Sequence, residues 1–129
     1  MIVDTSAIVA LFIGEQGWES ICQKLEDAPT PKISAASLVE LYAVLDSRGT
    51  PENSRRLDSL LTAFGIEVEP FDHTQALIAR AAYRDYGKGS GHPASLNMGD
   101  CYSYALATAH HQPLLFVGDD FTHTDLIPA

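Results

Sequence analysis

Four short strand-like runs alternate with longer helical patterns along this chain, and that alternation limits the fold more than any other feature. Met1-Ile2-Val3 opens it as a brief apolar run, Lys32-Ile33-Ser34 follows, Ile66 to Phe71 alternates in polarity, and Leu114-Leu115-Phe116-Val117 is apolar throughout. Between them lie helical stretches. Ser6 to Phe12 is broken by Gly14 and Gly17, and Trp18 to Glu26 carries Trp18, Ile21, Cys22 and Leu25 at helical spacing. A third helix is expected from about Ala35 to Arg48, stopping at Gly49. Thr50-Pro51 then reads as an N-cap followed by proline at the first helical position. Leu57, Leu60, Leu61 and Phe64 form the stripe of a fourth helix ended by Gly65. Asp72 to Gln75 has capping-box spacing and opens a helix to about Tyr86, and the last helix runs from about Gly99 to His111. Asp125-Leu126-Ile127 is expected as a final edge strand. Strands alternating with helices predict a three-layer α/β/α domain with a mostly parallel sheet. At 129 residues the chain makes one such domain, 1–129, with no repeat or linker.

The composition, 46% hydrophobic and 19% charged, is that of a globular protein. A formal net charge of -9 argues against passive attraction to nucleic acid or an anionic membrane. It leaves room for a nucleic-acid enzyme, because acids around a metal ion are neutralised there. Six of the eight basic residues, Arg48, Arg55, Arg56, Arg80, Arg84 and Lys88, lie mid-chain, where they make either a local positive rim or ordinary solvated helix faces. Cys22 and Cys101 have no metal-ligand spacing and read as reduced structural thiols. With no signal peptide or long apolar span in view, the expectation is a cytosolic protein without membrane attachment.

Four acids fall where a parallel sheet gathers its ligands, just beyond strands or in first helical turns. Asp4 closes the first strand and opens the first helix, so it also reads as a helix cap. Glu40 follows both Ser34 and Ser37. With Ser37 as cap it completes a capping box, and with Ser34 as cap it lies inside the helix among Leu38, Val39 and Leu41, where a carboxylate needs a partner. Asp100 follows Asn97 by three residues and suits a first turn. Asp119 follows the Leu114–Val117 strand through Gly118, a common turn when taken alone. Together, ionised carboxylates at one edge repel each other unless a cation joins them. An oxygen-only set favours Mg²⁺ or Mn²⁺ over zinc. Such an ion lowers the pKa of bound water and steadies charge on a phosphoryl group, which is the chemistry of phosphodiester hydrolysis.

Other features carry less. The Lys88-Gly89-Ser90-Gly91 stretch lacks P-loop spacing and follows a helix. His110 and His111 end a helix, where positive charge is favoured, and no third ligand stands at metal spacing. No Gly-x-Ser-x-Gly turn supports a serine hydrolase. The acid pair and late lysine of aspartyl-phosphate receivers are also missing.

The runs Met1-Ile2-Val3-Asp4-Thr5-Ser6-Ala7, Leu38-Val39-Glu40-Leu41, Gly99-Asp100-Cys101 and Phe116-Val117-Gly118-Asp119-Asp120-Phe121 resemble, in order and spacing, the PIN domains of VapC-type ribonuclease toxins. The resemblance spans the whole chain. It implies that Asp4 and Asp100 are the main metal ligands, that Glu40 binds a second ion or positions water, and that Asp119 is the fourth acid. Many relatives have Thr-x-Asp where this chain has Gly118-Asp119-Asp120, so Asp120 competes with Asp119, which is favoured. Thr5 and Ser6 become hydroxyl donors near the site. The implied activity is Mg²⁺-dependent cleavage of RNA, with a VapB-like antitoxin and a homodimer as partners. The alternatives are a PIN-like module that binds RNA or protein without turnover, and a metal-dependent DNA nuclease.

Overall fold

The computed structural model describes residues 1–47 and 50–129. Ten elements follow in order. They are β1 (Ile2–Val3), α1 (Thr5–Ile13), α2 (Trp18–Asp27), β2 (Lys32–Ser34), α3 (Ala35–Asp46), α4 (Pro51–Ala63), β3 (Glu67–Glu69), α5 (His73–Tyr86), α6 (Met98–His110) and β4 (Leu114–Leu115). All sheet pairings are parallel, in the order β3-β2-β1-β4. The expected α/β class therefore stands.

The strands are very short, yet β1 and β4 each serve both faces. Successive side chains on a strand point to opposite sides. Ile2 and Leu114 accordingly join the core beneath α5 and α6, with Leu96, Ala105 and Leu106. Val3, Leu115 and Ile33 join the other core, with Ile8, Leu25, Leu41 and Leu57 from α1 to α4. Two or three residues per strand are enough because the helices supply most of the buried surface.

Several boundaries differ from the expectation. β4 is two residues rather than four, because the chain leaves the sheet after Leu115. The backbone N–H of Val117 donates to Ser6 Oγ at 3.1 Å instead of to a strand. The expected edge strand at Asp125–Ile127 is displaced to a single bridge. Leu114 N–H donates to the Ile127 carbonyl at 2.9 Å, and Ala129 N–H donates to the Leu114 carbonyl at 2.8 Å. At α5, Asp72 Oδ1 caps the Gln75 N–H at 2.9 Å, but the Gln75 side chain donates to the Pro70 carbonyl, so only half of the capping box forms. The third strand shortens to Glu67–Glu69. The expected end of the third helix at Arg48 and Gly49 lies outside the described residues.

The order of the strands also locates the site. The chain moves from β1 outward to β2 and β3, then returns through α5 and α6 to β4 on the other side of β1. The strand order thus reverses between β1 and β4. In open α/β sheets the crevice beyond the carboxyl ends at such a point is where ligands bind. Asp4 lies there.

Candidate active site

Asp4 is 4% exposed and holds three donors. Its Oδ2 accepts from Ser6 N–H at 3.0 Å and from Ser6 Oγ at 2.6 Å, and its Oδ1 accepts from Ser103 Oγ at 2.6 Å. It is therefore a helix cap and a cleft residue at once. The two readings of this residue do not compete. Ser6 in turn accepts from Val117 N–H, which ties the start of α1 to the segment that leaves β4.

The choice between Ser34 and Ser37 as cap is settled for Ser34, whose Oγ accepts from Ala36 N–H at 3.2 Å. Glu40 is thus well inside α3, where capping does not account for it. Its carboxylate lies directly against Gly99 at the start of α6, in space that any Cβ at Gly99 would fill. Burial pushes its pKa up, the Thr5 hydroxyl works the other way, and the Asp4 charge adds to the rise.

Asp100 completes a capping box on α6. Its Oδ2 accepts from Asn97 N–H at 3.0 Å, and its own N–H donates to Asn97 Oδ1 at 2.9 Å. Its carboxyl is pushed from an ordinary 3.8 to about 7. Burial is the main cause, the Asn97 N–H opposes it, and the charges of Asp4, Asp120 and Glu40 add to it. An acid that burial pushes toward neutrality, with three other acids adding to the push and no cation opposing it, marks a site short of positive charge.

These groups line one cleft of about 440 Å³, with Thr5, Ser6, Val9, Val44, Asn97 and Val117 among its walls. Asp120 lines it and Asp119 does not, so the geometry reverses the preference for Asp119 drawn from the sequence. The glycine before them, Gly118, has φ +98, and the Asp119 carbonyl anchors the next turn by accepting from Thr122 Oγ1 at 2.6 Å. That turn carries the second acid, not the first, to the cleft.

A family model for the PIN domain matches residues 1–126. The chain belongs to the PIN-domain family. Ribonuclease VapC42 of Mycobacterium tuberculosis is 57% identical over 129 residues, spanning 100% of this chain and 98% of the relative, so the chain is a VapC-type ribonuclease. The crystal structure of Mycobacterium tuberculosis VapC20, described as a sarcin-ricin loop cleaving toxin, superposes with a TM-score of 0.79 at 16% identity, covering 99% of this chain and 97% of that one. A toxin–antitoxin complex from Klebsiella pneumoniae matches with a TM-score of 0.74 at 19% identity, covering 99% and 95%. At these identities the two structures speak for the fold.

VapC-type PIN ribonucleases are generally metal-dependent, and the donors of this VapC cleft fit that chemistry. Among the described residues lining the cleft are Asp4, Glu15, Glu40, Asp100 and Asp120, and no lysine or arginine. All are hard oxygen donors. Among the described residues no three acids, histidines or cysteines already stand as a ligand cluster. The acids line the walls instead of meeting at one point, as repelling carboxylates do.

Two features escaped the sequence, Glu15 in the cleft and Ser103 beneath it. Glu15 reaches it from the turn between Gly14 and Gly17, and an exposed acid in a glycine turn gives no signal. Ser103 does carry a signal: it lies three residues after Asp100 and so on nearly the same helix face. The mid-chain basic residues make a weaker rim than expected. The Arg84 guanidinium pairs with neighbouring Asp85, and the Arg56 guanidinium stacks 4.7 Å over the Phe12 ring. Arg48 lies outside the described residues. No described helix is long and apolar enough to cross a membrane.

Proposed function

We propose that this VapC protein is a Mg²⁺-dependent endoribonuclease, with Mn²⁺ able to substitute, and that Asp4, Glu40, Asp100 and Asp120 carry its chemistry. One observation supports the reading above the rest: a cleft whose charged side chains, among the described residues, are all acids has to receive a polyanion. Divalent cations reconcile the two, and when bound they supply Lewis-acid polarisation of a phosphoryl oxygen and an acidified water.

The chain's own residues divide the remaining work. Asp4, fixed by its three donors, and Asp100, kept in place by its capping box, hold the cation. Glu40 is seated against Gly99 and has a raised proton affinity, which suits it to orient the attacking water and accept its proton as the phosphorus–oxygen bond breaks. The Thr5 hydroxyl opposes that rise. Asp120 completes the set, and Ser6 holds the segment that carries it. Asp119, favoured by the sequence, is left to the turn.

As a toxin, the protein is expected to pair with a VapB-like antitoxin that blocks this cleft, and to form a homodimer. The test is cleavage of a mixed RNA pool by the wild type, Asp4→Asn and Asp100→Asn. Mg²⁺-stimulated cutting that falls at least about a hundredfold in both variants, and that chelator abolishes, is the expected result. Cutting that survives both substitutions and chelation removes the metal mechanism.

A further inference from the structure

Beneath the acids lies a pair of buried hydroxyls that capping does not explain. Ser37 is 0% and Ser103 is 1% exposed, and their Oγ atoms stand 3.2 Å apart. Ser103 also donates to Asp4 Oδ1 at 2.6 Å. A serine hydroxyl has one proton, so once Ser103 gives its own to Asp4 it can only accept from Ser37. Proton counting thus orients the chain as Ser37 to Ser103 to Asp4, each hydroxyl polarising the next.

The placement is systematic. Ser37 precedes Glu40 by three residues on α3, and Ser103 follows Asp100 by three on α6. Residues three apart share a helix face, so each hydroxyl lies one turn from an acid of the cleft. The two helices meet here as well as at the contact between Glu40 and Gly99. The hydroxyl pair therefore joins the three elements that carry Asp4, Glu40 and Asp100.

We propose that Ser103, oriented by Ser37, is a positioning residue that fixes the carboxylate plane of Asp4 and so presets the lone pair Asp4 offers to a cation. The terminal torsion of aspartate is soft, with broad wells. Ser6 holds only Oδ2, so without Ser103 the plane can turn about that one anchored oxygen. With Ser103 in place, both oxygens are held, and a carboxylate with about four lone-pair sites keeps one free direction. This inference rests on the metal-dependent reading of the cleft.

The test is Mn²⁺ binding, followed by electron paramagnetic resonance of the free ion, for the full-length wild type, Ser103→Ala, Ser103→Thr and Ser37→Ala. Thermal midpoints in chelator run alongside. Removing a partner that orients a metal ligand typically weakens metal binding about 10-fold or more. Ser103→Ala is expected to lose about that much affinity while its chelated midpoint stays near that of the wild type. Ser103→Thr restores the hydroxyl and most of the affinity, and Ser37→Ala shows a smaller loss of the same sign. Wild-type affinity in Ser103→Ala overturns the proposal, as does an equal loss in the alanine and threonine variants, or a loss that tracks a fall in midpoint. A wild type that binds no Mn²⁺ defeats the metal-site reading itself, an outcome distinct from all of these.

Discussion

At the amino-terminal edge of the sheet, the Met1 ammonium donates to Gln112 Oε1 at 2.8 Å and the buried Tyr104 hydroxyl donates to Asp125 at 2.7 Å. At the opposite edge, Asp4, Glu40, Asp100 and Asp120 line one cleft with no lysine or arginine among the described residues beside them. Both edges carry polar groups next to a hollow, about 240 Å³ at the first and about 440 Å³ at the second. At the first edge every group named has its complement inside the fold, so folding is explanation enough. At the second, charge of one sign accumulates around a buried carboxyl, and burial together with those charges lifts Asp100 to about 7. The difference separates polar residues that stabilise the molecule from polar residues that the molecule tolerates for another purpose.

The largest way to break that contrast is through pH. Asp100 has its folded pKa raised from 3.8 to about 7, mainly by burial, and Glu40 shifts in the same direction. Between those values the folded chain keeps a proton that the unfolded chain has released, so stability falls as pH rises through the window. Below about 4 the penalty is absent, and above about 7 it is complete. Thermal midpoints of the chelated protein are expected to fall from pH 4 to pH 8 more steeply in the wild type than in Asp100→Asn. The difference between the two is on the order of a few kcal/mol. Mn²⁺ should flatten the wild-type curve. Parallel curves for the wild type and the variant would mean that the fold does not raise the proton affinity of Asp100.

Gly99→Ala sharpens the same contrast from the side of geometry. A methyl group there enters the space of the Glu40 carboxylate, which must turn away. Gly99 is helical, so alanine gains some helix propensity in return. Cleavage is expected to fall about tenfold or more, equivalent to about 1.4 kcal/mol of barrier, with the fold intact by circular dichroism. Unchanged turnover would show that the seating of Glu40 is incidental.

The opposite edge supplies the control. Tyr104→Phe removes the hydroxyl that meets Asp125, while Asp125 remains exposed to water. It should cost about 1 kcal/mol of stability and leave RNA cleavage unchanged. A fall in cleavage without loss of stability would join the two edges into one functional unit.

Much of this division was legible in the residues. Short apolar runs separated by amphipathic helices gave the parallel sheet, and the position of Asp4, Glu40 and Asp100 just past strands or inside helices gave the edge on which they meet. The cap ambiguity at Ser34 and Ser37 could not be resolved from spacing, because both serines have the chemistry and only the backbone decides which is extended. The strands are shorter than the apolar runs predict, since Phe116 and Val117 are as apolar as Leu114 and Leu115 but lie beyond the sheet, where Val117 N–H meets Ser6. In the sequence Ser103, a serine between Tyr102 and Tyr104 in a helix, reads as packing until its partner, 99 residues earlier, is brought beside it.

Asp119 and Asp120 give the finest test, because nothing in their shared chemistry separates them. The difference between them is one residue of turn geometry after Gly118, whose positive φ sets where the following side chains go. Asp120 lines the cleft and contributes to the raised pKa of Asp100, while the Asp119 carbonyl anchors Thr122. Because both side chains are exposed, neither substitution should disturb stability by more than about 0.5 kcal/mol. Asp120→Asn is expected to lower cleavage several-fold and Asp119→Asn to leave it at the wild-type level, with the Mg²⁺ concentration for half-maximal rate rising only in the first. The reverse order would place Asp119 in the cleft when RNA and metal are bound. The turn at Gly118 would then be the part of the site that changes shape on binding.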